Sequence, residues 1–256
     1  MVLCFSLFLA LSAVPAARAE DAPLLRVLLR RLDIGNRIGL DTDGQYLLEG
    51  GNGIRILLSR DTSLSVELRE KDLVLFLSGA SLSLGPSAKL TRLDDGGSSP
   101  SLKISGASGS YPGDLALSVQ DEKIQAVLSL ALEDYLLGVV PNEMSDGFPL
   151  EALKAQAVCA RTYALRKMGG SGEWDVVDTT NDQVFRGISD ANQNAAQAVA
   201  ETSRLVLKKD GKLIECYYSA SNGGQTELPE NVWGGTGYTG CYVMKDDPGI
   251  RPIRTA

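Results

Sequence analysis

Glu143 stands in the run Gly138-Val139-Val140-Pro141-Asn142-Glu143-Met144, a single carboxyl group at the end of an apolar stretch. Flanked by Val140 and Met144, such a group can be partly desolvated, which favours its protonated form and equips it to donate a proton; an exposed loop glutamate fits the same residues. Gln156, Arg161 and Tyr163 interrupt an Ala-rich segment, where polar side chains need partners, either a ligand or neighbouring loops. Thr180-Asn181-Asp182-Gln183 and Ser219-Ala220-Ser221-Asn222-Gly223-Gly224-Gln225-Thr226 are dense in hydrogen-bonding groups. That composition suits a carbohydrate, and tight turns use it too. Trp233 has a face that could stack on a sugar, or a bulk that could fill a core.

The 256 residues contain 25 Lys+Arg, 32 Asp+Glu and no histidine. Without imidazole there is no Ser-His-Asp or Cys-His nucleophile and no histidine-ligated metal, so any catalysis runs on carboxylates, Lys, Tyr or Cys. A formal charge of −7 and a pI near 4.8 argue against nucleic acid as a partner. The four cysteines are Cys4, Cys159, Cys216 and Cys241, with no metal-ligand spacing among the last three. The expectation is a Cys216–Cys241 bridge with Cys159 buried and reduced.

The elements that would carry these groups change along the chain. Residues 1–11 are almost wholly apolar, and Ala17-Arg18-Ala19 precedes Glu20-Asp21 as a signal peptidase requires, although no Lys or Arg precedes the apolar run. Residues 1–19 therefore read as a cleaved signal segment, the chain's one membrane contact, and its product as a secreted, extracytoplasmic protein of the cell envelope. Residues 20–110 form a β-rich region of short alternating runs at 25–29, 54–58, 65–68, 73–77 and 102–104, separated by clusters such as Asp41-Thr42-Asp43-Gly44. From 111 onward the expected pattern is mixed: a hairpin over 114–127, a helix over 132–140 stopped by Pro141, and a longer helix from Pro149 to Gly169-Gly170. A helix capped by Ser189 follows, and then a hairpin pairing 204–208 with 213–218 across Asp210-Gly211. The fold class is α+β, a β-rich N-terminal region followed by a mixed α/β domain.

The blocks at 132–144, 149–164, 182–187, 219–226 and 232–235 stand in an order that closely resembles the stage II sporulation protein D family, the SpoIID/LytB domain; Tyr111-Pro112-Gly113-Asp114-Leu115 looks like its approach. The resemblance covers roughly 111–250. It implies a peptidoglycan lytic transglycosylase cleaving MurNAc–GlcNAc bonds in glycan strands stripped of peptides, with Glu143 as catalytic acid. One carboxyl group would then suffice, since the carboxylate left after donation can deprotonate the 6-hydroxyl of muramic acid as it closes on C1. Gln156, Arg161, Asp182, Gln183, Ser219, Ser221, Gly223, Gly224 and Trp233 are the candidates for binding sugar. The alternative in the family is a non-catalytic glycan binder that enhances a cell-wall amidase. Some members hold zinc near the Gly-Gly-x-Thr loop through Cys and His; with no histidine, neither zinc nor another cofactor is expected here. Phe185 stands where the family often has tyrosine. The chain stops at Ala256, soon after Asp246-Asp247-Pro248, where relatives continue, which implies a shortened C-terminus.

Overall fold

Alternating burial builds the first half of the chain. In the computed structural model, which describes residues 24–93, 99–219 and 221–238, the strands are β1 (Leu25–Leu28), β2 (Arg37–Asp43), β3 (Gln45–Gly50), β4 (Arg55–Leu58), β5 (Ser63–Arg69), β6 (Asp72–Leu77), β7 (Ala80–Gly85), β8 (Ser87–Leu93), β9 (Ser101–Ile104) and β10 (Ser110–Pro112). Five of these lie on the expected runs. The cluster Asp41-Thr42-Asp43-Gly44, expected to separate strands, lies largely within one: Asp41, Thr42 and Asp43 belong to β2 and only Gly44, with φ of 126°, turns the chain. Thr42 is tolerated in the core because its hydroxyl donates to the Ser59 carbonyl at 2.7 Å. β7 escaped notice because its first four residues are all exposed and carry no alternation.

β11 (Asp114–Gln120) and β12 (Lys123–Leu130) form the expected hairpin, with Asp121 and Glu122 both at positive φ in its two-residue turn. A seven-stranded sheet has the order β13-β1-β12-β11-β8-β3-β4, where β13 is Val176–Val177, and a six-stranded sheet has the order β10-β9-β2-β5-β6-β7. Every pairing is antiparallel except β1 with β13. Both sheets and the helices contribute to one hydrophobic core. β8 pairs with β11, so the sheet runs unbroken across residue 110. The fold is α+β.

After β12 three helices follow, packed on one another. α1 (Leu132–Glu143) continues through Pro141, three residues past the expected stop. Proline removes one i→i−4 bond, but only the final turn lies beyond it, and Met144 N–H still donates to the Val140 carbonyl at 2.9 Å. α2 (Leu150–Lys167) starts after Pro149 as expected, and its buried Leu153, Ala157, Ala160 and Ala164 form the close-packing stripe. α3 (Gln193–Glu201) begins later than the Ser189 cap implied. Its N-terminal N–H groups are satisfied from a distance: Asp146 accepts from Ala195 N at 2.7 Å and Asn194 N at 3.4 Å. The second hairpin shrinks to β14 (Lys208–Lys209) and β15 (Lys212–Leu213), and residues 214–218 run on as irregular chain along α2. A short α4 (Pro229–Trp233) closes the described part.

Gly138 couples α1 to the loop that follows β13. A Cβ there would lie 2.4 Å from the Phe185 ring and 2.8 Å from the Gly187 carbonyl. Phe185 has no room to retreat, being stacked on Tyr135 at 5.3 Å and held edge-on by Tyr111 at 5.7 Å. Gly138→Ala is expected to cost about 3 kcal/mol through overpacking, measured as a lower denaturation midpoint at unchanged m-value.

Candidate active site

α1 ends on Glu143, and that position sets its surroundings. The carboxyl group is half-buried and its Oε1 accepts the Val184 backbone N–H at 2.7 Å. Val184 sits in the 178–188 loop, which is fastened by Asp178: that buried carboxylate accepts the Arg30 and Arg31 N–H groups at 2.8 and 3.0 Å. Burial pushes the Asp178 carboxyl up, against those hydrogen bonds.

Around Glu143 lies a cluster of neutral polar groups. Gln183, 1% exposed, donates from Nε2 to the Tyr218 hydroxyl at 2.8 Å and to the Ala160 carbonyl at 3.3 Å. Glu143 acts electrostatically on both Tyr218 and Tyr135, whose hydroxyls are pushed up mainly by burial. Gln156, 8% exposed, bears on the same Tyr218 hydroxyl from α2. Three atoms of this cluster are buried without a hydrogen-bond partner of normal geometry: Tyr135 Oη, Gln156 Nε2 and Gln183 Oε1. Unmet buried donors and acceptors are uncommon, and together they make a place suited to a polar guest.

Asp182 belongs to an adjoining pocket of about 440 Å³ lined by Tyr163, Lys167, Tyr217, Tyr218, Trp233 and Tyr238 among others. Its carboxylate is already engaged, by Tyr163 Oη at 2.6 Å, Val177 N at 2.8 Å and Lys167 Nζ at 3.2 Å. Burial and then the Asp182 hydrogen bond hold the Tyr163 hydroxyl protonated well above its ordinary range. Trp233 is 61% exposed and tilts against Tyr217 at 4.6 Å, so it is a surface aromatic rather than core filling. Tyr218 links the two regions, since it lines the pocket and meets Gln183.

Arg161, expected at the sugar, has another task. It is 1% exposed and all five of its N–H donors are used: two on Glu133 of α1 at 2.8 Å each, one on the Val199 carbonyl at 3.2 Å, and two toward the Leu205 carbonyl and Thr202 hydroxyl at 3.3 and 3.5 Å. It clamps α1, α2 and the end of α3 together. Ser219, Ser221, Gly223 and Gly224 are exposed in a self-bonded loop, where Ser221 Oγ accepts from Gly223 N at 3.3 Å. Positive φ at Gly223 and Gly224 accounts for the glycine pair through turn geometry. Sequence reasoning passed over Tyr218 and Tyr135, because one lay in an expected strand and the other in an apolar helix.

Among the described residues no group of three or more His, Cys, Asp or Glu is gathered to hold a metal ion. Cys216 is buried and Cys159 is half-buried rather than buried, and the two sulfurs are neighbours. Cys241 lies outside the described residues, as do residues 1–23, where the signal segment is expected, and residues 239–256.

The site is thus a half-buried helix-end carboxyl group, with amides and phenols around it and an aromatic pocket alongside, on an α+β frame. Residues 120–208 match the SpoIID family model, described as stage II sporulation protein. The matched span contains Glu143, Gln156, Asp182 and Gln183; the 219–226 and 232–235 blocks lie beyond it. The chain is 42% identical over 127 residues to an uncharacterised protein of Brachyspira hyodysenteriae, covering 48% of this chain and 34% of that one. It is 51% identical over 98 residues to the amidase enhancer of Bacillus subtilis, 38% of this chain and 13% of the relative. With stage II sporulation protein D of Bacillus subtilis it shares 32% identity over 126 residues, 43% of this chain and 37% of the relative. The matched part therefore spans about a third or less of these relatives.

Proposed function

We propose that this chain is an exported lytic transglycosylase that cleaves MurNAc–GlcNAc bonds in peptide-stripped peptidoglycan strands, with Glu143 as general acid and then general base. The observation that carries the reading is the position of Glu143 among buried, unmet neutral donors and acceptors. Sugars present hydroxyl and acetamido groups that such atoms can satisfy. Because Oε1 accepts the Val184 N–H, the proton for the glycosidic oxygen belongs on Oε2. The leaving sugar takes it as C1 becomes oxocarbenium-like, and the carboxylate then takes the proton of the muramic acid 6-hydroxyl as that oxygen bonds to C1. Asp182, the other carboxylate acting on Tyr135, already has three donors, which favours a single-carboxylate route over a paired one.

The similarity to an amidase enhancer favours a second reading, in which the same groove holds glycan for a cell-wall amidase and performs no cleavage. Incubating the purified protein with peptide-stripped strands separates them. Anhydro-muramoyl ends detected by mass spectrometry support the enzyme. Intact strands together with faster peptide release on adding an amidase sink it in favour of the enhancer. In either case Trp233→Ala is expected to weaken binding of a glycan oligosaccharide about 5- to 10-fold in a calorimetric titration, through loss of the exposed stacking face.

A further inference from the structure

We propose that Cys159 and Cys216 are a disulfide pair that staples residues 214–218 to α2. The geometry rests on a row of contacts. Gln156, Cys159, Tyr163 and Arg166 recur at three- and four-residue steps and so share one face of α2. Residues 213–218 lie along that face. Arg166 donates to the Leu213 carbonyl at 3.0 Å and pairs with Glu215, the Tyr163 ring meets the Tyr217 ring at 6.3 Å, and the Gln156 amide bears on Tyr218. Within this row the Cys159 and Cys216 side chains are in hydrogen-bond contact, and the structure holds both as thiols. Sulfurs in hydrogen-bond contact across packed elements are the pair that an oxidant can join, through a bond of about 2.0 Å.

The segment is held through its side chains more than through its backbone. Residues 214–218 belong to no strand, and the backbone bond nearest the staple is Ile214 N to the Leu207 carbonyl at 3.2 Å. Yet this segment delivers Tyr217 to the aromatic pocket and Tyr218 to the amides beside Glu143. A covalent link at Cys216, directly before both, would hold them in place.

The chemistry balances as thiol–disulfide exchange with an external disulfide. The Cys159 thiolate attacks one sulfur of the oxidant and expels a thiolate. Cys216, deprotonated in turn, attacks the Cys159 sulfur of the mixed disulfide and expels the second. Two protein thiols become one disulfide, and the oxidant is reduced to two thiols. Cys159 is the natural first nucleophile, being half-buried where Cys216 is 5% exposed. The Cys216 hydrogen bond lowers its thiol to about 7, against the opposing effect of burial.

The test uses the full chain, purified under reduction and equilibrated with oxidised glutathione. Trypsin leaves Cys216 and Cys241 in one peptide, so digestion adds a Glu-specific protease, which cuts at Glu227 and Glu230 between them. The expected product joins Cys159 to Cys216, persists in Cys241→Ser, and raises the melting temperature by roughly 5–10 °C in a manner that dithiothreitol reverses. A Cys216–Cys241 linkage, or thiols that stay fully alkylatable after glutathione treatment, overturns the proposal. The linkage is read without any activity measurement, so it stands or falls independently of the reaction proposed above.

Discussion

Glu143→Gln is expected to reduce the release of anhydro-muramoyl ends by about 10³-fold while leaving glycan affinity within a few-fold of the parent. The amide keeps the volume of the carboxyl group, and its carbonyl oxygen can still accept the Val184 N–H that Oε1 now accepts at 2.7 Å. It cannot supply a proton to the glycosidic oxygen or remove one from the 6-hydroxyl, so both halves of the reaction fail together. Single-turnover assays on peptide-stripped strands measure the loss, and a thermal melt of the variant guards against misfolding. If the variant cleaves within tenfold of the parent, Glu143 is not the acid. If the parent never cleaves but both proteins accelerate an amidase equally, the groove is a binding surface.

The second large effect concerns stability rather than chemistry. Arg161→Met should lower the unfolding free energy by about 3–5 kcal/mol, seen in urea denaturation. Methionine restores much of the volume but none of the donors. Glu133, whose side chain is 42% exposed, recovers water, whereas the Val199 carbonyl loses a donor within the buried junction of α2 and α3. A double-mutant cycle with Glu133→Gln should return a coupling energy of about 1–3 kcal/mol. Glycan affinity of the folded fraction should not change, because none of the five N–H groups faces the site. A large fall in affinity at preserved stability would restore Arg161 to the sugar-binding residues.

How legible each element was follows from the range of its causes. α2 is readable because its start, its Ala stripe and its Gly-Gly end are all local. The β11–β12 hairpin is equally local. β7 is not readable, because its first four residues are exposed, and β8 is less so because it pairs with β3 and β11, both distant in sequence. The start of α3 was misplaced because its cap comes from Asp146, nearly fifty residues away, while the nearby Ser189 offered a plausible local signal. Pro141 misled in the same way: its rule holds for a helix interior, and here it falls in a last turn held by Met144.

The sequence by itself determined the chemical repertoire: no imidazole, one carboxyl group closing an apolar helix, and ordered blocks carrying neutral polar side chains. It also determined the α+β class, through hydrophobic periods of two and then nearly four. Only the tertiary structure decided which of those polar side chains turn toward Glu143 and which turn away. Gln156 and Arg161 are five residues apart on one helix, yet one reaches Tyr218 and the other is spent on Glu133, Val199 and Leu205. The physical reason is that a side chain's task is set by what packs against its face, and α3 and the 214–218 segment come to α2 from later in the chain.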